Sequence, residues 1–305
     1  MNLRLLATLI LFSSLSSADI ITDVRAAIAQ KNLAAAASEL QNYRAQHGVD
    51  PQYLEAVSWM ARGSLSANQL DQAETYAKQT ETESRQLLQH RPFDAEPHLP
   101  SALGAALEVQ AQVLALRGKN PQAVALLRRS LVTYRNTSIR ARLQKNLNML
   151  GLAGQPAPPF STAEYLGIRP IPLAQLKGSP TLLFFWAHWC GDCKAEAPII
   201  TQLRSEYAPK GLKVIGPTRY YGYTAQEEHA APADELKYID AVRHRYYAGL
   251  LDMPVPINTA NFNTYGASTT PTLVLVDRAG KVAWYHPGAV PYAELKAEIE
   301  KVVAR

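Results

Sequence analysis

The chain has 305 residues, of which 47% are hydrophobic and 19% are charged, so it can bury sizeable cores, and its length favours two domains. The formal net charge of +5 is only mildly basic, and no lysine or arginine cluster alternates with aromatic residues to form a nucleic-acid-binding face. We therefore expect no nucleic-acid partner.

Residues 1–18 have the composition of an export signal peptide. Arg4 precedes an apolar run at 5–12, and small residues at 16–18 offer a cleavage site before Asp19. A retained membrane anchor is the alternative, but the run is shorter than the roughly 18 residues that a span needs. No cysteine follows it to carry a lipid. We expect a periplasmic or other extracytoplasmic protein without a permanent membrane span.

Residues 19–150 are predicted to form an all-helical domain. Breaks rich in glycine and proline separate its helices at 48–51, 91–94 and 118–121. Alanine-rich or apolar stretches with helical spacing occupy residues 26–40, 54–60, 103–116 and 123–134.

A weak internal repeat runs through this helical part. Ala36, Ala73 and Ala123 each follow a similar dipeptide, Asn-Leu, Gln-Leu or Asn-Pro, by a few residues. The last two resemble the second-helix entry of tetratricopeptide-type (TPR-like) repeats. Because the offsets are unequal, a degenerate array of helical hairpins and a plain helical bundle both remain open.

A linker and an α/β pattern follow. Residues 151–159 contain two glycines and three prolines, which cannot continue a helix, so a second domain is predicted at 160–305. Its apolar runs at 181–186 and 212–215 are typical of a sheet that is covered on both faces. Two further strands at 272–276 and 282–285, a turn at 277–280 and a helix at 292–303 complete a βαβ unit followed by a ββα unit.

Cys190 and Cys193 are the only cysteines, and they lie between the first of these strands and a predicted helix. A purely structural disulfide is the first alternative, but closing so short a loop contributes only about 2 kcal/mol in the loop-entropy relation. A zinc site is the second, and it lacks another cysteine pair. The pair is therefore interpreted as a redox-active dithiol.

The residues around the dithiol resemble the thioredoxin-like superfamily. Residues 185–193 look like the thioredoxin active-site strand and loop, and Pro198 matches that family's helix-kinking proline. Thr270-Pro271 precedes a strand where the family has a cis-proline, and Glu196 matches the exported TlpA and ResA branch. The resemblance implies an α/β thioredoxin fold, with a central mixed sheet flanked by helices, preceded by an all-α helical-hairpin domain.

Helix geometry assigns the two cysteines different roles. Cys190 is expected at a helix N-terminus, where unpaired N–H groups and the helix dipole stabilise its thiolate as the nucleophile. Cys193, one turn later, then resolves the mixed disulfide. Glu196 shares the face of Cys193 and is the predicted proton acceptor and donor, while a solvated carboxylate is its alternative. Trp189, Thr270 and Pro271 are the predicted substrate contacts.

Two positions depart from the family pattern. Phe184 occupies the place of thioredoxin's buried acid, which leaves more of the proton transfer to Glu196. Asp192 replaces a common proline; its charge opposes the thiolate, whereas an acid in the first helical turn is itself favourable. The two effects have opposite consequences for the reduction potential, and their net sign stays open.

Polar and aromatic residues near the cysteine pair have both functional and purely structural interpretations. Lys194 is expected to face solvent, and His188 to be a surface residue, with a proton shuttle or a metal ligand as its alternatives. The segments 219–223 and 243–247 are aromatic and basic, and they either border the active-site face or simply pack.

The predicted function is that of an exported thiol-disulfide oxidoreductase, most directly a reductase. Its partners are protein disulfides or dithiols and an upstream thiol electron donor, and the helical domain is a candidate holder of a protein partner. No cofactor or metal is required. The alternatives are a redox-inert interaction platform and a copper chaperone that uses Cys190, Cys193 and His188. A peroxidase is disfavoured because Ala187 stands where those enzymes have threonine.

Overall fold

The computed structural model describes residues 19–304, so the predicted signal peptide lies outside the described residues. Residues 19–151 form seven α-helices, and polar N-cap residues mark where the first three begin. Asp19, Asn32 and Asp50 each accept a backbone N–H at the start of a helix. The helices are α1 (Ile20–Ala29), α2 (Leu33–His47), α3 (Pro51–Ser66), α4 (Leu70–Leu88), α5 (His98–Leu116), α6 (Asn120–Thr133) and α7 (Arg140–Gly151).

The first six helices pack as consecutive antiparallel hairpins, α1 with α2, α3 with α4 and α5 with α6. Ala36, Ala73 and Ala123 are each the fourth residue of the second helix of a hairpin, and each is fully buried. A small side chain at this place lets the paired helices approach closely. The three hairpins agree with the predicted hairpin architecture, while their assignment to the TPR type stays a prediction.

Helix α5 forms the centre of this helical region. It is the one helix among residues 19–304 that is long and apolar enough to cross a membrane by length and composition. However, 61% of that apolar window is buried inside the protein, as in the core helix of a helical bundle.

The rest of the described chain forms an α/β region around a four-stranded mixed sheet of order β3-β2-β5-β6. Strands β2 and β3 are parallel, and the other two neighbouring pairs are antiparallel. The predicted mixed sheet flanked by helices is therefore confirmed. Its elements are β1 (Tyr165–Leu166), β2 (Thr181–Phe185), α8 (Gly191–Tyr207), β3 (Lys213–Ile215), α9 (Pro232–Tyr246), β4 (Val255–Pro256), α10 (Thr259–Tyr265), β5 (Thr272–Val276), β6 (Val282–Pro287) and α11 (Tyr292–Val303).

Strand β2 is buried on both faces, as its unbroken apolar run predicts. Leu182 and Phe184 belong to a core shared with α8, α9 and α11. Leu183 and Phe185 belong to a second core on the opposite face, where Phe185 packs edge-on against Phe262 of α10 at 5.3 Å. The sheet thus fixes the position of the loop that follows Phe185.

The helical region packs directly against the α/β region through α7 and α10. Leu152, the first residue after α7, is part of the second core of the sheet. Gly266 ends α10 with a φ of +62°, and a Cβ atom there would lie 2.3 Å from the backbone nitrogen of Lys145 in α7. A glycine is therefore required by both the backbone conformation and the close approach of α7.

The segment predicted as a linker, 151–159, is not helical after Gly151, where α7 ends, and it pairs with the β5–β6 hairpin. The N–H of Gly154 donates to the carbonyl of Val282 at 2.7 Å, and the N–H of Ala157 donates to the carbonyl of Gly280 at 2.9 Å. These bonds satisfy backbone groups that a free linker would leave to water. The division of the chain into domains at this segment stays a prediction.

Candidate active site

The dithiol lies at the junction between β2 and α8, where the structure holds it as a Cys190–Cys193 disulfide. Cys190 is the N-cap residue of α8, and its Sγ accepts the backbone N–H of Cys193 at 3.0 Å. Cys190 is 3% exposed and Cys193 is fully buried. The sulfur predicted to be the nucleophile is thus the one that retains contact with solvent and caps the helix.

The predicted cis-proline faces this disulfide. The Thr270-Pro271 peptide bond is cis, and the carbonyl oxygen of Thr270 lies 3.3 Å from Cys190 Sγ. Trp189, next to Cys190 on the other side, is 48% exposed. The residues predicted to touch a substrate therefore lie together beside Cys190, although they are about 80 positions apart in the chain.

Glu196 is buried one turn beyond Cys193 on α8, with 2% exposure. Its Oε2 accepts the backbone N–H of Val290 at 3.3 Å, and Oε1 has no partner among residues 19–304. Burial raises the pKa of Glu196 to about 7; the Val290 hydrogen bond lowers this pKa, and the negative charge of Asp192 raises it. At neutral pH this carboxyl group can both release and accept a proton.

Phe184 lies where the resemblance places a buried acid, and it is fully buried against the Tyr247 ring. Within residues 19–304 the buried carboxyl groups are those of Glu196 and Glu235. Glu235 lies in the first turn of α9, and sequence reasoning did not select it. His188, the side chain that bonds to Glu235, lies 47 positions away in the chain. No local sequence pattern could therefore point to this pair.

The surface position predicted for His188 is wrong, because this side chain is 1% exposed. His188 Nε2 lies 3.2 Å from Glu235 Oε1, and the rings of Tyr221, Tyr223 and Tyr238 surround the imidazole edge-on at 5.2 to 5.4 Å. Burial lowers the pKa of His188, and the hydrogen bond to Glu235 opposes this change. A neutral His188 imidazole that donates its Nε2–H to the Glu235 carboxylate is consistent with the burial of both side chains and with their contact.

Glu235 also holds the segment that follows β3. Its two carboxylate oxygens accept the backbone N–H groups of Tyr221 at 2.5 Å and Gly222 at 2.8 Å. Tyr221 in turn packs edge-on against Trp189 at 5.6 Å, and the Arg219 guanidinium lies over the Tyr221 ring at 4.6 Å. Of the two alternatives for segment 219–223, the structure thus shows a position beside the active-site loop.

Only Arg243 and Tyr247 of segment 243–247 are buried in the fold, whereas residues 244–246 are exposed. Arg243 is 6% exposed and donates to Asp240 and to the carbonyl of Leu251, while Tyr247 is buried against Trp186. The ammonium of Lys194 lies 4.7 Å from the centre of the Tyr246 ring, in cation–π contact. Lys194 is therefore half-buried.

The metal alternative would depend on Cys190, Cys193 and His188. Among residues 19–304 no group of three histidine, cysteine or acidic side chains could hold a metal ion. His188 Nε2 is already hydrogen-bonded to Glu235. The disulfide, Thr270-Pro271 and Glu196 instead combine a reducible sulfur pair with a proton donor and acceptor, which is what thiol-disulfide exchange requires.

Comparison with known proteins gives consistent matches. The model of the AhpC/TSA family matches residues 153–285 and begins directly after α7. The thiol-disulfide oxidoreductase ResA of Bacillus thuringiensis (strain Al Hakam) is 30% identical over 151 residues, which are 49% of this chain and 78% of that protein. The thiol:disulfide interchange protein DsbE of Xylella fastidiosa (strain Temecula1) is 29% identical over 158 residues, 50% of this chain and 70% of that protein.

A solved structure of a putative thiol:disulfide interchange protein DsbE from Chlorobium tepidum is also similar. It is 27% identical, covers 50% of this chain and 97% of its own, and superposes with a TM-score of 0.38.

Proposed function

Because this chain belongs to the AhpC/TSA thioredoxin-like family and is a thiol-disulfide oxidoreductase, we propose that it works as a reductase of disulfides in exported proteins. One observation carries the direction of electron flow. Within residues 19–304 the polar contacts of Cys190 Sγ are the Cys193 N–H, which donates to it, and the Thr270 carbonyl oxygen at 3.3 Å, and no side-chain cation bonds to it.

Of the two opposing effects of Asp192 on the Cys190 thiolate, charge repulsion is the one that favours a reducing couple. Strong oxidants of this kind owe their potential to a strongly stabilised thiolate. Here Asp192 adds a negative charge in the first turn of α8, and the Lys194 ammonium contacts Tyr246. A less stabilised thiolate is a poorer leaving group and a stronger reductant, which supports the reductase direction.

The catalytic cycle starts from the reduced dithiol. The Cys190 thiolate attacks one sulfur of a partner disulfide, so that the partner's S–S bond breaks, one partner thiolate leaves and a Cys190–partner mixed disulfide forms. Glu196 accepts the proton of the Cys193 thiol, directly or through a water. Cys193 then attacks Cys190 Sγ and releases the second partner thiolate.

Two electrons have then passed to the partner, and Cys190 and Cys193 form the disulfide seen in the structure. An upstream protein dithiol restores the reduced form by the same exchange. The export signal composition of residues 1–18 supports an extracytoplasmic site for this cycle.

The reduction potential tests the proposed direction. The purified protein is equilibrated with glutathione or dithiothreitol redox buffers, and the oxidised fraction is measured by thiol alkylation. We expect a potential more negative than about −200 mV, at or below the glutaredoxin range. A less negative value, towards that of disulfide isomerases and donors, overturns the reductase assignment. Cys190→Ser serves as the control because it cannot form the intramolecular disulfide.

A further inference from the structure

A cleft opens between the helical region and the loop that carries the cis-proline. It has a volume of about 580 Å³ and is lined by the turn at 94–97, the start of α5 with Ser101, the start of α7 with Ser138 and Arg142, and Ser268 of the α/β region. The helical region thus forms most of the lining, and the α/β region contributes Ser268 at one edge.

Ser268 places this cleft next to the dithiol. It lies two residues before Thr270, whose carbonyl oxygen is 3.3 Å from Cys190 Sγ, and both Ser268 and Thr269 are exposed. An extended polypeptide advances roughly 3.3 Å per residue. A chain that contacts Thr270 and Pro271 therefore reaches the cleft within about three residues of the sulfur under attack.

The helical region and the α/β region are held in fixed relation. Gly266, two residues before Ser268, lies so close to α7 that a Cβ atom would meet the Lys145 backbone. Leu152 continues from α7 into the core of the sheet, and the Tyr285 hydroxyl donates to the carbonyl of Tyr265 at 2.9 Å, at the end of α10. The cleft is therefore preformed and does not depend on a closing motion.

The chemistry of the walls fits a polypeptide. Asp94 accepts the hydroxyl of Ser138 at 2.5 Å, and the Arg142 guanidinium donates to the carbonyl of Ser101 at 3.0 Å, so these polar groups have defined positions. Alanine, proline and isoleucine side chains lie between them. Donors, acceptors and small apolar surfaces together can bind main chain and short side chains.

The charged groups of the cleft further restrict which polypeptides can bind there. The lining includes two carboxyl groups, those of Asp94 and Glu96, and one guanidinium, that of Arg142. Two carboxylates oppose a phosphate or an acidic segment, because like charges at an interface destabilise the complex. A neutral or basic extended segment meets no such repulsion.

We propose that this cleft holds the neutral or basic polypeptide segment that flanks the target disulfide of a protein substrate. The proposal rests on the thiol-disulfide exchange proposed above, and it gives the helical region a direct part in substrate recognition. Binding of the flanking segment places the target sulfur beside Cys190, and a small disulfide gains nothing from it.

The test compares a protein substrate with a small one. Ala95→Trp fills the cleft from an exposed wall position, and Ala67→Trp is the matched control, because Ala67 is exposed after α3 and does not line the cleft. The substrates are insulin and 5,5′-dithiobis(2-nitrobenzoic acid). We expect Ala95→Trp to lower kcat/KM for insulin about tenfold more than for the small disulfide. Ala67→Trp changes neither value.

Equal loss on both substrates, or no selective loss in a variant with wild-type circular dichroism, overturns the proposal. Ser138→Trp fills the same cleft from the turn before α7 and repeats the measurement if Ala95→Trp does not fold. If the wild type itself fails to reduce the small disulfide, the proposed function fails, which is a separate result. A photo-crosslinker at position 95 in a Cys193→Ser mixed disulfide with the insulin B chain should label the B chain; absence of that label also contradicts the proposal.

Discussion

His188 Nε2 and Glu235 Oε1 lie 3.2 Å apart, and each side chain is 1% exposed. Through this contact the residue before Trp189 is joined to the first turn of α9. Because Glu235 also accepts the N–H groups of Tyr221 and Gly222, one carboxylate fixes the active-site loop and the segment after β3 together.

Glu235→Ala is expected to destabilise the protein and release the segment after β3. The substitution leaves two partly buried N–H groups and one buried imidazole without an acceptor, a cost of about 2 to 4 kcal/mol in the free energy of unfolding. Urea unfolding measures this loss, and amide hydrogen exchange at Tyr221 and Gly222 reports the release. Glu235→Gln keeps an acceptor oxygen and should lose less. A wild-type urea midpoint for the alanine variant contradicts the assigned role.

Cys193→Ser and Cys190→Ser should separate the two sulfur roles. Without Cys193 the mixed disulfide on Cys190 cannot be resolved, so a covalent adduct with an oxidised protein substrate accumulates. Without Cys190 no nucleophile remains at the N-terminus of α8, and exchange falls to the rate of the uncatalysed reaction. Non-reducing gel electrophoresis and mass spectrometry detect the adduct. An adduct on Cys193 in the Cys190→Ser variant at a comparable rate would reverse the assignment.

Glu196→Gln should slow thiol-disulfide exchange by about 100-fold or more, as expected for loss of a positioned proton acceptor. The pKa of Glu196 is raised to about 7, so the wild-type rate should show an inflection near this pH. The variant should lack that inflection while retaining the one that belongs to the Cys190 thiol. Superimposable pH profiles for the two proteins would assign Glu196 a structural role.

The same carboxyl group should make stability depend on pH. Between its ordinary pKa of 4.5 and its raised pKa of about 7, the folded state keeps a proton that the unfolded state has released. The free energy of unfolding therefore falls as pH rises through this interval and becomes level above it. Glu196→Gln should remove this contribution, so the difference in stability between variant and wild type grows from pH 4.5 to 7. Urea titrations at several pH values measure it, and a constant difference would contradict the raised pKa.

Gly266→Ala should destabilise the protein more than Gly118→Ala. Both glycines have a positive φ, +62° and +73°, so both substitutions pay about 1 to 2 kcal/mol for a left-handed backbone. Only at Gly266 does the new Cβ atom meet other atoms, those of the Lys145 backbone, whereas Gly118 has open space. Steric overlap adds about 1 to 3 kcal/mol there. Thermal unfolding of the pair isolates the packing between α7 and α10, and equal losses would show that this contact is unimportant.

The sequence predicted the parts of the site that depend on local pattern. Strand β2, the Cys190–Cys193 pair and the start of α8 follow from an apolar run, a motif and a helix boundary, all within about 15 residues. Thr270-Pro271 needed the family resemblance, because its contact with Cys190 spans 80 positions. Glu196 was selected by the family resemblance together with helical spacing, while the absence of a partner at its Oε1 atom required the tertiary structure.

The features that the sequence did not predict depend on contacts between distant parts of the chain or on elements too short to show a pattern. Glu235 looks like an ordinary acid in the first turn of an amphipathic helix, and only the fold brings it to His188. Strands β1 and β4 have two residues each and pair across about 90 positions, so neither shows a strand pattern of its own. Helix α10 has seven residues, too few for a helical period to be recognised.

Because Cys190 is the N-cap residue of α8, the redox state of the cysteine pair and the free energy of unfolding are thermodynamically linked. The Cys193 N–H that bonds to Cys190 Sγ stabilises this sulfur most when it carries a negative charge, and the reduced form supplies that charge. The reduction potential depends on the difference in stability between the reduced and the oxidised folded protein. A change that weakens the first turn of α8 only in the reduced protein therefore lowers the reduction potential. For this two-electron couple about 1.4 kcal/mol of such destabilisation corresponds to about 30 mV. Substitutions that tune this protein as a reductant can therefore be recognised by urea unfolding of its two redox forms alone.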